Sequence, residues 1–381
     1  MPTAERGRGR ILFSVNSAWN VANFRAGLVR ALIDAGYDVT VAAPRGAHAR
    51  QVEALGCRFV DLPMQPHGRS PAADLGVLAR YVRLMRAERP VAYLGYTAKP
   101  NIYGSIAARI CGVPAVNNVA GLGLVFNERG ATARVLRRLY AVALRRSARV
   151  FFQNPDDLAL FARERLVDPA RCELLPGSGV DLDRFAPPPP REAAPDPFVF
   201  LLVARLLWEK GVAELVEAGR RLRRRRPDVA VRILGFTGPG PAFVQPSNLA
   251  AWEAEGAATY LGTADDVRPH LAAADCVVLP SYYPEGTPRA LLEAAATGRP
   301  IITCDMPGCR DVVEHGGNGF LVPPRDAAAL AAAMEAVAAL PPPALAAMGR
   351  RSREVAAARF DERIVVDRYL RVLGDVAGAR A

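Results

Sequence analysis

The chain has 381 residues, of which 51% are hydrophobic, and it carries a formal net charge of +11. This length favours two domains with a hydrophobic core each, and the apolar content excludes an intrinsically disordered protein. The positive charge indicates an anionic partner such as nucleic acid, a membrane surface or a phosphorylated ligand.

Short β-rich segments alternate with helical patterns from the start of the chain. The pattern predicts strands at 11–15, 38–43, 58–61, 91–95, 115–119 and 149–153. It predicts helices between and after them at about 23–35, 47–55, 74–88, 101–111, 130–147 and 155–165. Such alternation is typical of right-handed βαβ units, which build a parallel sheet covered by helices on both faces.

A proline-rich segment, residues 184–197, follows this series and predicts a linker. A second alternating series then begins, with strands at 198–203, 229–234, 275–279 and 300–303. We therefore predict an α/β protein with two doubly wound domains, 1–183 and 198–360, and a cleft between them. In such sheets ligands bind at the carboxyl ends of the strands.

The six cysteines form no CxxC pair and show no metal-ligand spacing with the four histidines. We interpret them as buried thiols in a reducing compartment. No stretch approaches the roughly 18 uninterrupted apolar residues of a spanning helix. The early run 11–13 predicts a first strand and not a signal peptide. We expect a cytoplasmic protein whose membrane contact is peripheral, at the inner face of the cell membrane.

Two cations flank the junction between the strand 198–203 and the next helix. They are Arg205 and Lys210, and Lys210 is one of only two lysines beside 47 arginines. A planar guanidinium and a mobile ammonium can close on a diphosphate, which the N–H groups of a helix start also meet. The alternative is a surface arginine that pairs with Glu209 or Glu214.

Two carboxylates, Glu285 and Glu293, lie eight positions apart across a later loop-to-helix junction. Glu285 in the loop can reach a sugar hydroxyl, and Glu293 on the helix can point toward a ribose. The alternative is an exposed Glu285 and a Glu293 that pairs with Arg289 at i,i+4 spacing. A cationic pair and an acidic pair in one domain is the arrangement that a nucleotide-sugar site needs.

The chain resembles the retaining glycosyltransferases of family 4, which have the two-domain GT-B fold. In the second domain the matching strings are VARLLWEKGVAELVEA and LGTADDVRPHLAAADCVVLPSYYPEGTPRALLEAAATGRPIITCDMPGCRDVVEHGGNGFLVPP. A third matching string, LPGSGVDLDRF, closes the first domain. In the first domain NFRAGLVRALIDAGYDVTVAAP and YTAKPNIYGSIAARICGVPAVNNVAGLGLVF are similar to one subgroup. This subgroup acts on undecaprenyl-diphosphate-linked acceptors and includes bacillosaminyl-lipid N-acetylgalactosaminyltransferases.

The resemblance implies a role for each matching donor residue. Arg205 and Lys210 match the diphosphate-binding pair of the family. Glu285 matches the first glutamate of its E-x7-E motif, which contacts the donor sugar, and Glu293 the second, which contacts the ribose. We expect Arg205, Lys210 and Glu285 to act in catalysis.

The loop around the first glutamate adds backbone contacts in this family. The N–H groups of Gly286 and Thr287 are expected to meet the sugar or a phosphate, whereas Pro288 cannot donate. The segment Tyr282-Tyr283-Pro284 makes this loop one residue longer than is usual before the glutamate.

The predicted acceptor residues belong to the first domain. Lys99, in the string YTAKPN, is expected to bind the acceptor diphosphate or to stabilise the leaving group, with a surface lysine as the alternative. Gly121 and Gly123 either bring the backbone close to a ligand or form a plain turn.

The first strand-to-helix loop resembles the Phe-Arg element of the family and carries Asn16, Asn23 and Arg25. The double glycine of many relatives is missing there, which predicts a different acceptor. The resemblance also predicts that the last helix, about 361–381, packs back on the first domain.

The resemblance implies a retaining reaction with front-face attack on the anomeric carbon. A departing phosphate oxygen can take the acceptor proton, so no strong protein base is needed, and no histidine stands at an obvious base position. Asp181-Leu182-Asp183 matches a DxD motif, but we interpret it as a structural turn. We expect no metal and no cofactor besides the donor itself, with a UDP-linked N-acetylhexosamine as the expected donor.

Between Arg129 and Arg149 there are seven arginines and no acidic residue. Val135, Leu139 and Val142 form an apolar stripe on the predicted helix, flanked by arginines 134, 137, 138 and 145. Two interpretations remain open. One is the solvated edge of a sheet-covering helix, and the other is a patch for anionic headgroups, where each basic residue contributes about 1 kcal/mol.

Three functions compete at this point. The first is a glycosyltransferase with a polyprenyl-diphosphate-linked glycan as acceptor, or with a soluble acceptor. The second is another GT-B enzyme, a nucleotide-sugar epimerase, which would need acidic and histidine groups converging on the sugar. The third, a nucleic-acid-binding protein, lacks aromatics interleaved with the basic residues. We favour the first with the lipid-linked acceptor.

Overall fold

Two parallel β-sheets organise the chain, one in each of two compact units. A computed structural model describes residues 7–65, 70–123, 130–189 and 197–378. Unit 1 comprises Met1–Ser178 and Glu362–Ala381, and unit 2 comprises Gly179–Asp361.

The sheet of unit 1 has seven parallel strands in the order β3-β2-β1-β4-β5-β6-β7. The strands are β1 (Arg10–Ser14), β2 (Asp38–Ala43), β3 (Arg58–Asp61), β4 (Ala92–Tyr96), β5 (Ala115–Val119), β6 (Arg149–Phe152) and β7 (Cys172–Leu174).

Helices connect these strands, and several begin at clear capping residues. They are α1 (Ala18–Phe24), α2 (Ala26–Asp34), α3 (Ala49–Glu53), α4 (Pro71–Glu88), α5 (Ser105–Ile110), α6 (Ala131–Leu144) and α7 (Pro155–Arg163). A five-residue π-helix, Pro100–Gly104, leads into α5, and a 3-10 turn, Pro169–Arg171, precedes β7. Ser70 and Asn154 cap α4 and α7 with their side chains, and a proline at the first position of each helix has the backbone angle that a helix start needs.

The sheet of unit 2 has six parallel strands in the order β10-β9-β8-β11-β12-β13. The strands are β8 (Phe198–Val203), β9 (Val229–Leu234), β10 (Thr259–Tyr260), β11 (Cys276–Leu279), β12 (Ile301–Cys304) and β13 (Gly319–Val322).

The helices of unit 2 are α8 (Val212–Arg223), α9 (Pro246–Ala254), α10 (Arg268–Ala273), α11 (Arg289–Ala296), α12 (Ala327–Ala338) and α13 (Pro342–Arg359). Two 3-10 turns, Trp208–Lys210 and Arg310–Val312, complete the unit. The last helix of the chain, α14 (Glu362–Gly378), belongs to unit 1.

Each sheet is buried on both faces, as expected when helices cover a parallel sheet. In β1, Ile11 and Phe13 belong to one hydrophobic cluster and Leu12 to another. The first cluster includes Tyr369 of α14, which is fully buried and whose ring centroid lies 4.8 Å from that of Phe151. Apolar packing therefore holds α14 against the sheet of unit 1.

The start of the predicted linker is packed in unit 2. Phe185 in this segment, and Leu182 just before it, are buried in the same cluster as Leu291 of α11. Residues 190–196 lie outside the described residues. The division between the units falls at Ser178 and Gly179, upstream of the predicted linker.

The predicted α/β class with two doubly wound, Rossmann-like sheets is confirmed. Three short strands, β7, β10 and β13, were not predicted. In the described ranges no single helix is long and apolar enough to cross a membrane, and α12 and α13 reach that length and composition only as a pair bent by 113°.

Candidate functional site

The donor residues predicted in unit 2 follow two neighbouring strands. Arg205 and Lys210 follow β8, whereas Glu285 and Glu293 follow β11. From β8 the chain continues to β9 on one side, and from β11 to β12 on the other side. Such a point of divergence opens a crevice at the carboxyl ends of the strands, where doubly wound sheets bind ligands. The fold thus places both motifs around one crevice.

A tight backbone contact fixes the position of Lys210. The 3-10 turn ends at Lys210, and Gly211 follows with a φ of 74°. A Cβ on Gly211 would lie 2.2 Å from the carbonyl oxygen of Pro280, so only glycine permits this approach. The segment after β8 therefore contacts the segment after β11 directly.

Hydrogen bonds strengthen this contact between the two segments. The carbonyl oxygen of Glu209 accepts the N–H groups of Tyr282 at 2.9 Å and Tyr283 at 3.1 Å. These bonds fix the loop that carries Glu285 relative to Lys210.

The side chains of Lys210 and Glu285 form an ion pair. The ammonium Nζ donates to Glu285 Oε1, and Ser281 Oγ donates to the same oxygen at 3.1 Å. The two side chains are only 9% and 13% exposed. Removal of either charge from so deeply buried a pair is costly, because it leaves the other charge desolvated without its partner.

Tyr283 joins Arg205 to this pair. The ring centroid of Tyr283 lies 5.1 Å from Lys210 Nζ and 6.0 Å from the guanidinium carbon of Arg205. Both cations therefore lie near one aromatic ring, within or close to the range of cation–π attraction. Burial raises the pKa of the Tyr283 hydroxyl, and the neighbouring Arg205 opposes this rise. Tyr283 is not among the site residues predicted from the sequence, although it lies in the lengthened loop.

Gly286 and Thr287 precede Pro288, the residue that caps the start of α11, and both are buried. Gly308 supports Gly286 from behind with a φ of 78°, and a Cβ on Gly308 would lie 1.5 Å from the carbonyl oxygen of Gly286. The two residues thus lie at the positive end of the α11 dipole, where an anionic group is favoured. Their contact with a sugar or phosphate stays a prediction.

Glu293 pairs with Arg289 on α11, as the alternative interpretation expects. Arg289 Nε donates to Glu293 Oε1 at 2.8 Å, and a second nitrogen of Arg289 donates to the carbonyl oxygen of Gly179 at 2.5 Å. Burial raises the pKa of Glu293, and the charges of Arg289 and Arg184 oppose this rise. The predicted contact of Glu293 with a ribose stays a prediction.

The acceptor residues predicted in unit 1 also lie at a point of divergence. Asn16 follows β1, Lys99 follows the neighbouring β4, and Gly121 and Gly123 follow β5. From β1 the chain continues to β2, and from β4 to β5 on the other side. The carboxyl edge of this sheet therefore carries these predicted residues on adjacent strands.

Lys99 is held by Asp74. Lys99 Nζ donates to Asp74 Oδ1 at 2.6 Å, and the hydroxyl of Tyr103 donates to Asp74 Oδ2 at 2.8 Å. The side chains of Lys99 and Asp74 are 13% and 16% exposed. Thr97, with a φ of 65°, and the following π-helix make the backbone irregular here, as is frequent at functional sites. Asp74 and Tyr103 are not among the residues predicted from the sequence. Asp74 is distant from Lys99 in sequence, and Tyr103 belongs to no motif that indicates a site.

Arg25 is buried, with only 5% of its surface exposed, at the junction of α1 and α2. Its guanidinium carbon lies 4.6 Å from the ring centroid of Tyr96 at the end of β4. Asn23 donates to the carbonyl oxygen of Trp19 at 3.0 Å, and Asn16 is half-buried. The structure thus gives Arg25 a packing role, and the acceptor contact of these three residues stays a prediction.

The glycines after β5 have left-handed backbone conformations, with φ of 97° at Gly121 and 67° at Gly123. This conformation explains why glycine stands at both positions. Residues 124–129, which follow them, lie outside the described residues.

The DxD match forms a turn. Asp181 Oδ1 accepts the N–H groups of Asp183 at 3.0 Å and Arg184 at 2.9 Å. This carboxylate thus closes the turn through its own backbone neighbours. Within the described part of the chain, no group of three or more histidine, cysteine or acidic residues is arranged to hold a metal ion.

Two family models match the chain and together span most of it. Residues 21–178 match the model described as a glycosyl transferase 4-like domain, and residues 197–339 match the model described as glycosyl transferases group 1. All donor residues predicted above lie in the second match. The predicted family resemblance is confirmed.

Two relatives match the chain over different lengths. The N,N'-diacetylbacillosaminyl-diphospho-undecaprenol alpha-1,3-N-acetylgalactosaminyltransferase of Campylobacter jejuni is 24% identical over 378 residues, 95% of this chain and 98% of the relative. The UDP-Gal:alpha-D-GlcNAc-diphosphoundecaprenol alpha-1,3-galactosyltransferase of Escherichia coli is 29% identical over 260 residues, 65% of this chain and 66% of the relative.

Solved structures share the fold over nearly the whole chain. Anabaena Alr3699/HepE in complex with UDP has a TM-score of 0.78 at 20% identity, with 96% of this chain and 100% of that chain covered. A glycosyltransferase from Rickettsia africae has a TM-score of 0.79 at 15% identity, with 96% of this chain and 98% of that chain covered. The predicted GT-B fold class is confirmed, and at these identities the likeness supports the fold alone.

Proposed function

The chain belongs to the glycosyl transferases of group 1 with a 4-like first domain, and from this premise we propose that it moves a sugar from a nucleoside diphosphate sugar to a lipid-diphosphate-linked glycan. Unit 2 binds the donor and unit 1 the acceptor. The observation that carries the proposal is the cluster of Arg205, Lys210, Tyr283 and Glu285 at the point of strand divergence in unit 2.

Each member of this cluster has a distinct task toward the donor. Arg205 and Lys210 bind the diphosphate through charge-assisted hydrogen bonds, and Glu285 accepts a hydroxyl of the donor sugar. Because Lys210 and Glu285 pair with each other here, donor binding exchanges this ion pair for two contacts with the ligand. The diphosphate thus supplies the negative charge that Lys210 then neutralises.

The transfer step needs stabilisation of the leaving group more than a protein base. The bond between the anomeric carbon and the phosphate oxygen breaks, and its electron pair leaves with the diphosphate. The acceptor hydroxyl oxygen bonds to the same face of that carbon, and its proton passes to the departing phosphate oxygen. Arg205 and Lys210 lower the barrier, because they stabilise charge that develops on the diphosphate in the transition state.

The acceptor assignment rests on the names of the relatives and on Lys99. Both relatives from Campylobacter and Escherichia act, by name, on sugars linked to diphospho-undecaprenol. In unit 1, Lys99 lies at the carboxyl edge of the sheet and is half-buried beside Asp74, which suits a diphosphate that displaces the carboxylate. We assign a UDP-linked hexose or N-acetylhexosamine as donor, with no metal or further cofactor.

Contact with a membrane surface is the remaining part of the proposal, and α6 is the element that fits it. The helix buries Ala133, Tyr140, Ala143 and Leu144, while Val135 and Val142 are 55% and 48% exposed. Arginines 134, 138 and 145 are exposed beside these valines, whereas Arg137 pairs with Glu164. An exposed apolar and basic face of this kind suits anionic headgroups. We call it the basic surface of α6.

The test is a transfer assay with purified protein, a panel of UDP-sugars and undecaprenyl-diphosphate-linked N-acetylhexosamine, with the lipid product identified by mass spectrometry. We expect one donor to extend the lipid by one sugar, and Arg205→Ala and Lys210→Ala to lower the rate by at least about 100-fold. An epimerised donor without a longer lipid, or transfer to free sugars alone, would refute the proposal.

A further inference from the structure

A cavity of about 380 Å³ opens at the amino end of β5 in unit 1. Its walls include Arg109 at the end of α5, Ala115 at the start of β5, and Arg146 just after α6. Because strands carry their two ends at opposite edges of a sheet, the cavity lies at the edge away from Lys99 and Gly121. It is therefore distinct from the proposed acceptor site.

The charge that faces this cavity is positive. Arg109 and Arg146 line it, and none of its lining residues is acidic. Within the described part of the chain, neither arginine forms an ion pair, and Arg109 donates only a long bond of 3.4 Å to the carbonyl oxygen of Val142. Ser105 and Ser147 also line the cavity, but Asn117 holds both of their hydroxyls at 2.7 Å. Two guanidinium groups are thus available for an anion.

The remaining walls and the surroundings are apolar. Val113, Ala143 and Val376 are among the lining residues. Ile110, next to Arg109 in the chain, is 54% exposed, and Val142, whose carbonyl Arg109 contacts, is 48% exposed. A free inorganic anion or a nucleic acid gains nothing from such apolar neighbours, whereas an amphiphilic anion does. The combination indicates a ligand with a phosphate group and an acyl chain.

We propose that this cavity binds the headgroup of an anionic phospholipid, with Arg109 and Arg146 on the phosphate and Ile110 and Val142 against the acyl region. Val142 belongs to the basic surface of α6, and the next residue of that helix, Ala143, lines the cavity, so α6 contributes to both. The inference rests on the proposed membrane contact and gives it a specific site. The surface supplies non-specific attraction, and the cavity selects the headgroup.

Vesicle sedimentation tests the site directly. Full-length protein is mixed with phosphatidylcholine vesicles that contain or lack about 30% phosphatidylglycerol. The double variant Arg109→Gln/Arg146→Gln is compared with Arg223→Gln/Arg224→Gln, which removes two exposed charges from unit 2. At about 1 kcal/mol for each basic residue, we expect about a 30-fold loss of affinity for the anionic vesicles in the first variant only.

A soluble lipid separates the cavity from the surface charge and from free phosphate. Dihexanoylphosphatidylglycerol below its critical micelle concentration should bind the wild type. The variant Ile110→Asn/Val142→Asn should bind this lipid more weakly, whereas inorganic phosphate should bind the variant and the wild type with equal affinity. Inorganic phosphate that binds as tightly as the lipid would overturn the lipid assignment. Arg134→Gln/Arg138→Gln, on the basic surface but not among the lining residues, should leave the binding of the soluble lipid unchanged.

The outcomes keep the two proposals apart. If the wild-type protein does not bind the anionic vesicles, the membrane contact itself is refuted. Wild-type binding that survives in Arg109→Gln/Arg146→Gln would overturn the cavity and leave the membrane contact in place. Sugar transfer to a detergent-solubilised acceptor should be unchanged in this variant, and a loss there would show that the cavity belongs to the reaction site.

Discussion

Lys210 and Glu285 form an ion pair across 75 residues of sequence, and this pair joins the two motifs that define the donor site. Both side chains are nearly buried, with 9% and 13% exposed. In the structure, the two charged groups proposed to bind the donor therefore neutralise each other. A bound donor would replace this ion pair, with its diphosphate on Lys210 and a sugar hydroxyl on Glu285. The same two side chains therefore contribute to stability and to the proposed function.

A double-mutant cycle on this pair should separate stability from function. Lys210→Met and Glu285→Gln should each lower the free energy of unfolding, by about 3 kcal/mol for Lys210→Met, because each leaves a desolvated group without its partner. The double variant should lose much less than the sum, since both charges are gone. Urea denaturation measures this coupling.

In the transfer assay, the rate of each of these three variants should be lower than that of the wild type by at least about 100-fold. The double variant should regain stability but not activity, because catalysis needs both side chains, whereas stability only requires that neither charge is left unpaired. Stability losses that add up in the double variant would show that the pair is not coupled. Activity that returns together with stability would show that the pair has a structural role alone.

Gly211 should be essential for the contact between the two donor segments. Gly211→Ala places a Cβ 2.2 Å from the carbonyl oxygen of Pro280 and also imposes a φ of 74° on a residue with a side chain. Gly316→Ala is the matched control, because Gly316 has a φ of 77° and open space around its Cβ position. The control should lose about 1 kcal/mol from backbone strain, and Gly211→Ala clearly more.

The two alanine variants should also differ in donor affinity, measured as stabilisation by UDP in thermal unfolding. Gly211→Ala should weaken it, because Pro280 and the loop that carries Glu285 must move. Equal losses of stability and of UDP affinity in both variants would mean that the close approach to Pro280 has no special role.

Glu293 should make the stability depend on pH. Burial raises the pKa of this carboxyl, so the folded protein holds its proton to higher pH than the unfolded chain. The stability from this proton is fully present below the unfolded pKa and is lost as pH rises through the folded pKa. Relative to Glu293→Gln, the wild type should therefore lose unfolding free energy as the pH rises above about 4, the ordinary pKa of a glutamate, and through the raised pKa of the folded state. Denaturation at several pH values measures the difference, and a wild type that gains relative to the variant would contradict the buried assignment.

Asp74 should compete with an anionic acceptor for Lys99. Asp74→Asn removes the competing charge at 2.6 Å, and we expect farnesyl diphosphate to bind about fivefold more tightly, equivalent to about 1 kcal/mol for a half-buried pair. Isothermal titration in saturating UDP keeps the donor site occupied. Asp34→Asn, an exposed change of the same charge in unit 1, should have no effect, and an equal gain there would refute the role of Asp74.

The sequence pattern predicts the placement of the donor motifs well, because parallel strands bring their carboxyl ends to one edge. Arg205, Lys210 and Glu285 meet there as that rule implies. The strands β7, β10 and β13 were missed, since segments of two to four residues are too short to show a period. The break between α1 and α2 at Arg25 was also missed, because apolar spacing continues across it.

Partners that lie far apart in sequence could not be predicted. Asp74 reaches Lys99 from the first turn of another helix, and nothing in either string reveals this. Arg25 is predicted as an acceptor residue because its loop resembles the Phe-Arg element of the family, and its burial against the ring of Tyr96 has no signal in the sequence. The pairing of Glu293 with Arg289 was one of two open interpretations, since helical spacing permits it without requiring it.

The central claim, that a nucleoside diphosphate binds at Lys210, can be tested on the two lysines of the chain. Protein labelled with 15N-lysine should give only two backbone amide signals, which Lys99→Arg and Lys210→Arg assign. On titration with UDP, ADP and GDP, the signal of Lys210 should shift with saturation for at least one nucleotide, while that of Lys99 stays in place. A Lys210 signal that none of the three nucleotides moves, or a shift of Lys99 alone, would contradict the donor site.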